Sequence, residues 1–224
     1  MRSRARGNSV QEESARYGAR VAVVETLPAD LLDVGVNYMN ELKAKALKVS
    51  QALQQAGVPH AVIGGLALAA HLARANPVAE RNTQDLDILL ARQDLDAAKA
   101  ALKPLGYRYR RVMKLHAFMP DRKGAHFVEG VHIIWAGEKV REEYLHPTPL
   151  LLAHETVDPQ KGIQYLSLYN LVVMKLTSFR HKDITHIQDL LYWKLLTKKI
   201  ENALPADLKQ RLEQVKRDTE AEKL

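Results

Sequence analysis

Two aspartates one residue apart, Asp85 and Asp87, open an apolar run of Leu86, Ile88, Leu89 and Leu90. In a strand the side-chain period is two, so both carboxylates fall on one face and Leu86 and Ile88 on the other. Neighbouring carboxylates repel unless a cation sits between them. Magnesium suits that place, because it binds through one or two carboxylates and completes its shell with substrate phosphates. A solvated pair at an exposed strand end is the other reading of the same residues. Upstream, Gly64 and Gly65 follow the short apolar run 60–63 and lead straight into an Ala/Leu-rich stretch. Glycines let backbone N–H groups approach a ligand closely, and a helix start favours an anion such as phosphate. A tight strand-to-helix turn needing no ligand is the commoner account of such a glycine pair.

These residues depend on elements that hold them in place. Asp30 is a good N-cap, and Leu32, Val36, Met39, Leu42, Ala46 and Leu53 recur at helical spacing, with a polar break at Ser50, until Gly57 and Pro59. The pattern then predicts a strand over 60–63, a helix over 66–75, a polar loop over 76–84 and a strand over 85–90. A helix capped by Asp94 runs to Lys103, before Pro104 and Gly106. Residues 107–119 and 125–135 read as strands around a turn at 121–124, the second broken at Gly130. Residues 136–164 read as loop. Helices follow over 168–180, from Asp183 and from Pro205, with a charged, fraying tail from Lys216. One helix separates the glycines from the aspartates, and a helix crossover places both strands in one sheet. The order predicts an α+β fold: a mixed β-sheet core flanked by helices, with a helical C-terminal part. The expected organisation is a basic arm over 1–27, a core over 28–160 and a helical subdomain over 161–224.

Composition narrows the classes. The chain has 224 residues, 46% hydrophobic and 26% charged, the profile of an ordinary globular protein. The absence of cysteine excludes disulfides, thiolate zinc sites and cysteine nucleophiles, and it fits a cytoplasmic location. No apolar stretch reaches the roughly 18 residues of a membrane helix, so no membrane partner is expected. The net charge of +7 suits polyanionic partners such as nucleotides or RNA. The stretch Tyr107, Arg108, Tyr109, Arg110, Arg111, followed by Lys114, reads two ways. It could hold RNA phosphates while a tyrosine stacks on a base, or it is a charged edge strand that resists aggregation.

The pattern Val62-Ile63-Gly64-Gly65, a helix, then Asp85-Leu86-Asp87-Ile88-Leu89 resembles the signature of the nucleotidyltransferase superfamily with the DNA polymerase beta fold. The block Lys175, Arg180, Lys182-Asp183, His186 and Asp189-Leu190 resembles that of abortive-infection nucleotidyltransferase toxins and their uncharacterised relatives. The resemblance implies that Asp85 and Asp87 bind Mg2+ (or Mn2+) and that Gly64, Gly65 and Thr83 hold a nucleoside triphosphate. It further implies that Lys175 contacts phosphate or base and that Asp183 orients that lysine or the nucleotide. From the residues alone, Lys175 is equally an ordinary surface lysine and Asp183 an N-cap.

The superfamily usually carries a third carboxylate on a later strand. Here the equivalent place is His132, a candidate base or metal ligand. Glu129 is the nearest acid, on the opposite face of a regular strand unless a bulge at Gly130 turns it. The implied function is transfer of a nucleoside monophosphate from an NTP to an acceptor hydroxyl, with RNA, such as transfer RNA, as first choice. A catalytically inactive nucleotide- or RNA-binding protein of the same fold is the second expectation. The toxin-like block also implies a cognate antitoxin as partner.

Overall fold

The computed structural model describes residues 29–76, 79, 83–151 and 157–221. The proposed arm over 1–27 and most of the loop before Thr83 lie outside the described residues. The chain divides into two units, Met1–Asn37 and Tyr38–Leu224. Helix α1, Ala29–Gln55, runs across the boundary. Within the second unit its residues Met39, Leu42, Ala46, Val49 and Leu53 are buried at three- and four-residue steps, the spacing of one helical face. Ser50, read as a polar break, belongs to that buried face: its hydroxyl bonds the His60 ring at 2.7 Å and accepts from the Gln164 N–H at 3.0 Å. Those bonds remove the cost of burying it. The helix ends as the sequence predicts, at Gly57 in the left-handed region with φ +68°.

The sheet has seven strands among the described residues: β1 His60–Ile63, β2 Leu86–Leu90, β3 Tyr107–Val112, β4 Leu115–Pro120, β5 Val131–Trp135, β6 Val157–Gln160 and β7 Ile163–Leu166. Their order is β3-β4-β5-β2-β1-β7-β6. The sheet is mixed: β1 runs parallel to β7 and β2 to β5, and the other pairs are antiparallel. The central strands β1 and β2 are buried almost throughout, as expected where both faces are covered. The exception in β2 is Asp87. Helices α2 (Gly64–Ala75) and α3 (Leu95–Leu102) contribute to the same core. The C-terminal part is helical: α4 Leu168–Ser178, α5 His181–Tyr192, α6 Lys198–Ala203 and α7 Ala206–Ala221. This is the α+β architecture that the sequence predicts.

Four local differences have physical causes. The run 107–119 is a hairpin of β3 and β4, turning at Met113 with φ 56° and no glycine to mark it. Residues 127–129 form a 3-10 turn, so β5 starts only after Gly130. Part of the expected loop over 136–164 is the hairpin β6–β7, closed by Lys161 and Gly162, both with positive φ, the backbone of a two-residue hairpin turn. The expected fraying tail is helical to Ala221, because Leu208, Leu212 and Val215 anchor α7 in the core. Arg211 of α7 donates to the carbonyls of Leu176 and Thr177 at 2.7 and 2.8 Å, capping the end of α4. Among the described residues no helix is long and apolar enough to cross a membrane.

Candidate active site

The glycine turn and the aspartates meet because β1 and β2 are antiparallel neighbours. The sequence expects the glycine turn near the aspartates through a helix crossover, and that proximity holds, though not through parallel strands. Instead Ile63, the last residue of β1, pairs with Asp87 at the start of β2. Gly64 follows with φ +71°, and a Cβ there would overlap the Asp87 carboxylate. A Cβ on Gly65 would lie 2.8 Å from Thr83 Cβ, and Thr83 is buried. Both glycines are therefore set by close approach to two of the expected site residues. Ile63 supplies no side-chain cap to α2, which leaves first-turn N–H groups beside Asp87 without that partner. Asp85 precedes β2 and is partly exposed.

His132 lies directly opposite Asp87 on the parallel neighbour β5. Its Nδ1 is 3.2 Å from Asp87 Oδ1, and its Nε2 is 2.9 Å from the Phe127 carbonyl. Both partners are acceptors, so a ring carrying both protons satisfies them together. The Asp87 hydrogen bond raises the His132 pKa above the ordinary imidazole value; burial opposes this, and the Phe127 carbonyl and the charges of Asp87 and Asp85 add to it. The Phe127 ring stacks on it at 4.5 Å.

Glu129 faces elsewhere. It accepts from Arg122 Nη2 at 2.7 Å and from the His126 N–H at 3.0 Å. The His126 N–H holds its carboxyl below the usual range, against slight burial and with help from Arg122. Lys45 of α1 was not legible as a site residue. Its ammonium donates to the Glu129 and Gly130 carbonyls at 2.6 and 2.8 Å, fixing the turn that leads into β5. Burial pulls its pKa down to about 8, against the charges of Glu129 and Asp85.

The C-terminal helices supply a third group. Lys175, Ser178 and Arg180 all donate to Asp183, at 2.8, 2.7 and 2.7 Å. Asp183 is 1% exposed and Lys175 6%. Burial alone would raise the Asp183 pKa, but the hydrogen bonds from Arg180, Lys175 and Ser178 and the Lys175 charge hold it at about 2. Burial lowers the Lys175 pKa, and Asp183 partly restores it. Asp183 lies in the first turn of α5 rather than at its N-cap, which is Arg180. Phe179, left-handed at φ 49°, makes the tight turn between α4 and α5.

Two cavities open beside these groups. The smaller, about 180 Å³, is lined by Gly64, Asp87, Lys175, Arg180 and Asp183 among others. The larger, about 920 Å³, is lined by Asp87, His132, Arg111, Lys114 and Trp135 among others. Asp87, Ile134, Val140, Tyr144 and Arg180 line both. Gly65 and Thr83 line neither and pack behind the turn. Segment 136–151, which the sequence shows only as loop, forms much of the wall between the cavities. It is pinned by hydrogen bonds from Thr148 N–H to the Glu138 carbonyl and from Gly137 N–H to the Thr148 carbonyl, at 3.0 and 3.2 Å. His146 ties it to Asp207 of α7 at 2.8 Å.

The donor set fits one divalent ion. Asp87 on β2 beside the glycine turn and Asp85 just before the strand are carboxylates of the kind that bind magnesium together with substrate phosphates, and of the two Asp87 lines both cavities and Asp85 neither.

A family model described as an uncharacterised nucleotidyltransferase matches residues 36–182, more than half of the chain. No curated protein matches the sequence. Among solved structures, an antigenic nucleotidyltransferase-like protein from Paracoccidioides brasiliensis is similar at 16% identity and TM-score 0.50, over 80% of this chain and 88% of that one. It supports the fold. The Megavirus polyadenylate synthase matches at 13% identity and TM-score 0.47, over 88% of this chain and 40% of its own. ANT(2")-Ia, in complex with adenylyl-2"-tobramycin, matches at 16% identity and TM-score 0.45, over 75% of this chain and 94% of its own.

Proposed function

The chain belongs to this family of uncharacterised nucleotidyltransferases, and on that premise we propose that it transfers a nucleoside monophosphate from an NTP to an acceptor hydroxyl, with RNA as first-choice acceptor. One observation carries the reading: the register Ile63 to Asp87 sets the glycine turn against a carboxylate, at the mouth of a cavity lined by Lys175 and Asp183. Asp85 and Asp87 would hold one Mg2+ (or Mn2+). The bound ion would neutralise phosphate charge and stabilise the in-line displacement. The open N–H groups at the start of α2 would receive phosphate oxygens, and Gly64 keeps a Cβ out of their path. Thr83 would support the triphosphate turn by packing on Gly65. Lys175, fixed by Asp183, would face the donor, and Arg180 would stand where donor and acceptor meet. His132 would serve the site by holding Asp87 in place, since its ring nitrogens are both engaged.

Incubation with magnesium, each labelled triphosphate and cellular RNA tests this. Labelled product from the wild type and loss with Asp85→Ala or Asp87→Ala are expected. No product from any triphosphate, with Asp85→Ala indistinguishable from wild type, would sink it. A second reading is favoured by His132 in the place of the third acid: a protein that binds nucleotide or RNA without turnover. Stabilisation by a triphosphate that magnesium does not alter would select that reading. The block around Lys175 and Asp183 also supports kinship with abortive-infection toxins. A small neighbouring reading frame whose product binds the chain and suppresses its labelling activity would establish such a pair.

A further inference from the structure

The larger cavity carries a charge imbalance that the transfer site does not explain. Most of its charged wall is neutralised internally. Arg92 pairs with Glu138, Arg141 with Glu143 at 3.6 Å, and Arg180 with Asp183. Arg111 and Lys114, beside the turn of the β3–β4 hairpin, and Lys139 across the cavity have no carboxylate partner among the described residues. Against these three cations stand Glu142 and, at the inner end beside His132, Asp87. The field reaches deeper. The pKa of His116, opposite Arg111 in the hairpin register, is lowered by burial and then by the charges of Arg92 and Arg111. A polycationic acceptor is disfavoured by such a wall, and a polyanion is favoured.

Dimensions and direction add to this. At about 920 Å³ the cavity lies at the upper end of the roughly 300–1,000 Å³ that holds a whole small molecule, so it has room for more than one nucleotide. It runs from the hairpin turn, where Met113 is 88% exposed, inward to Asp87 at the junction with the smaller cavity. The hairpin acts through its arginine and lysine, not its tyrosines. Tyr107 and Tyr109 turn inward onto the core, and the Tyr109 hydroxyl bonds His116 at 2.6 Å, which corrects the expectation of a stacking tyrosine.

We propose that the larger cavity is the acceptor site and takes an unpaired nucleic-acid strand, RNA under the reading above. Phosphates lie against Arg111, Lys114 and Lys139, and the terminal hydroxyl reaches Asp87. There the hydroxyl oxygen bonds to the α-phosphorus of the donor as the bond to pyrophosphate breaks, and the hydroxyl proton leaves to solvent. The inference rests on the transferase reading for the chemistry but not for the binding.

The test is fluorescence anisotropy of a labelled single-stranded oligoribonucleotide with the full chain, over a range of salt. Wild type binds, and Arg111→Ala/Lys114→Ala weakens binding by about tenfold or more. The salt slope falls by about 1.4, two contacts at roughly 0.7 each for a single strand. An unchanged affinity and slope in the double variant overturns the proposal. So does equal competition by a free mononucleotide at matched phosphate concentration. Triphosphate binding with magnesium, followed by thermal shift on the same preparations, reports separately on the donor site. Its absence overturns the transferase reading, whereas an unaffected double variant overturns the acceptor site alone.

Discussion

At the scale of single residues, the site depends on what stands beside Asp87. Gly64 is left-handed and its missing Cβ is the space that the Asp87 carboxylate occupies. Gly64→Ala is expected to cost about 1–2 kcal/mol from backbone alone. It should also displace Asp87 and abolish nucleotide transfer; thermal melting and the labelling assay measure the two effects. His132 sits where a third acid would complete a two-ion site. His132→Asp supplies that acid at the register position facing Asp87. Wild type is expected to bind one Mn2+ in the presence of a non-hydrolysable triphosphate, and the variant two. Equilibrium titration of manganese by electron paramagnetic resonance counts them, and equal counts would refute the assignment.

At the scale of elements, the turn from α4 to α5 concentrates three donors on one buried carboxylate. Asp183→Asn leaves Lys175 buried without its counter-charge, a loss of about 3–5 kcal/mol in denaturant unfolding. The folded pKa of Asp183 is held at about 2, below its ordinary value of 3.8. Its stabilisation is therefore present in full above the ordinary value and is lost as pH falls toward 2. Acid unfolding monitored between those limits should lose its steepness in the Asp183→Asn variant. The elements also explain which parts of the site were legible. Gly64, Gly65, Asp85 and Asp87 declare themselves by type and spacing, because close approach and paired charge demand particular residues. The direction of β2 does not, since residues 60–63 and 86–90 read as buried strands whichever way they pair. The hairpin β6–β7 was concealed by Pro159, tolerated because β6 is an edge strand. Glu129 could not be placed because its partner Arg122 lies in a turn whose geometry the spacing does not fix. Lys45 looks like any helical lysine until β5 is laid beside it.

At the scale of the whole molecule, the C-terminal helices are tied to the site through backbone. Arg211 caps the last carbonyls of α4, and its guanidinium lies 4.8 Å from the centre of the Phe179 ring. Removing it by Arg211→Ala is expected to lower stability by about 1.5–3 kcal/mol, the range for hydrogen bonds to a charged group. It should also weaken triphosphate binding, because the loosened turn carries Arg180 and Asp183. Unfolding and binding measured side by side would separate the effects, and a stability loss with unaltered binding would confine Arg211 to architecture.

The wall shared by the two cavities has a kinetic meaning. Under the proposed function, Asp87 and Arg180 border both spaces, so donor and acceptor would lie on either side of one point and meet directly. Transfer in such a setting is a single displacement. The α-phosphorus of a chiral thiotriphosphate should emerge with inverted configuration. Initial-rate plots should intersect rather than run parallel, because both substrates must be aboard together. Retention of configuration or parallel lines would mean that the chain itself carries the nucleotide in between.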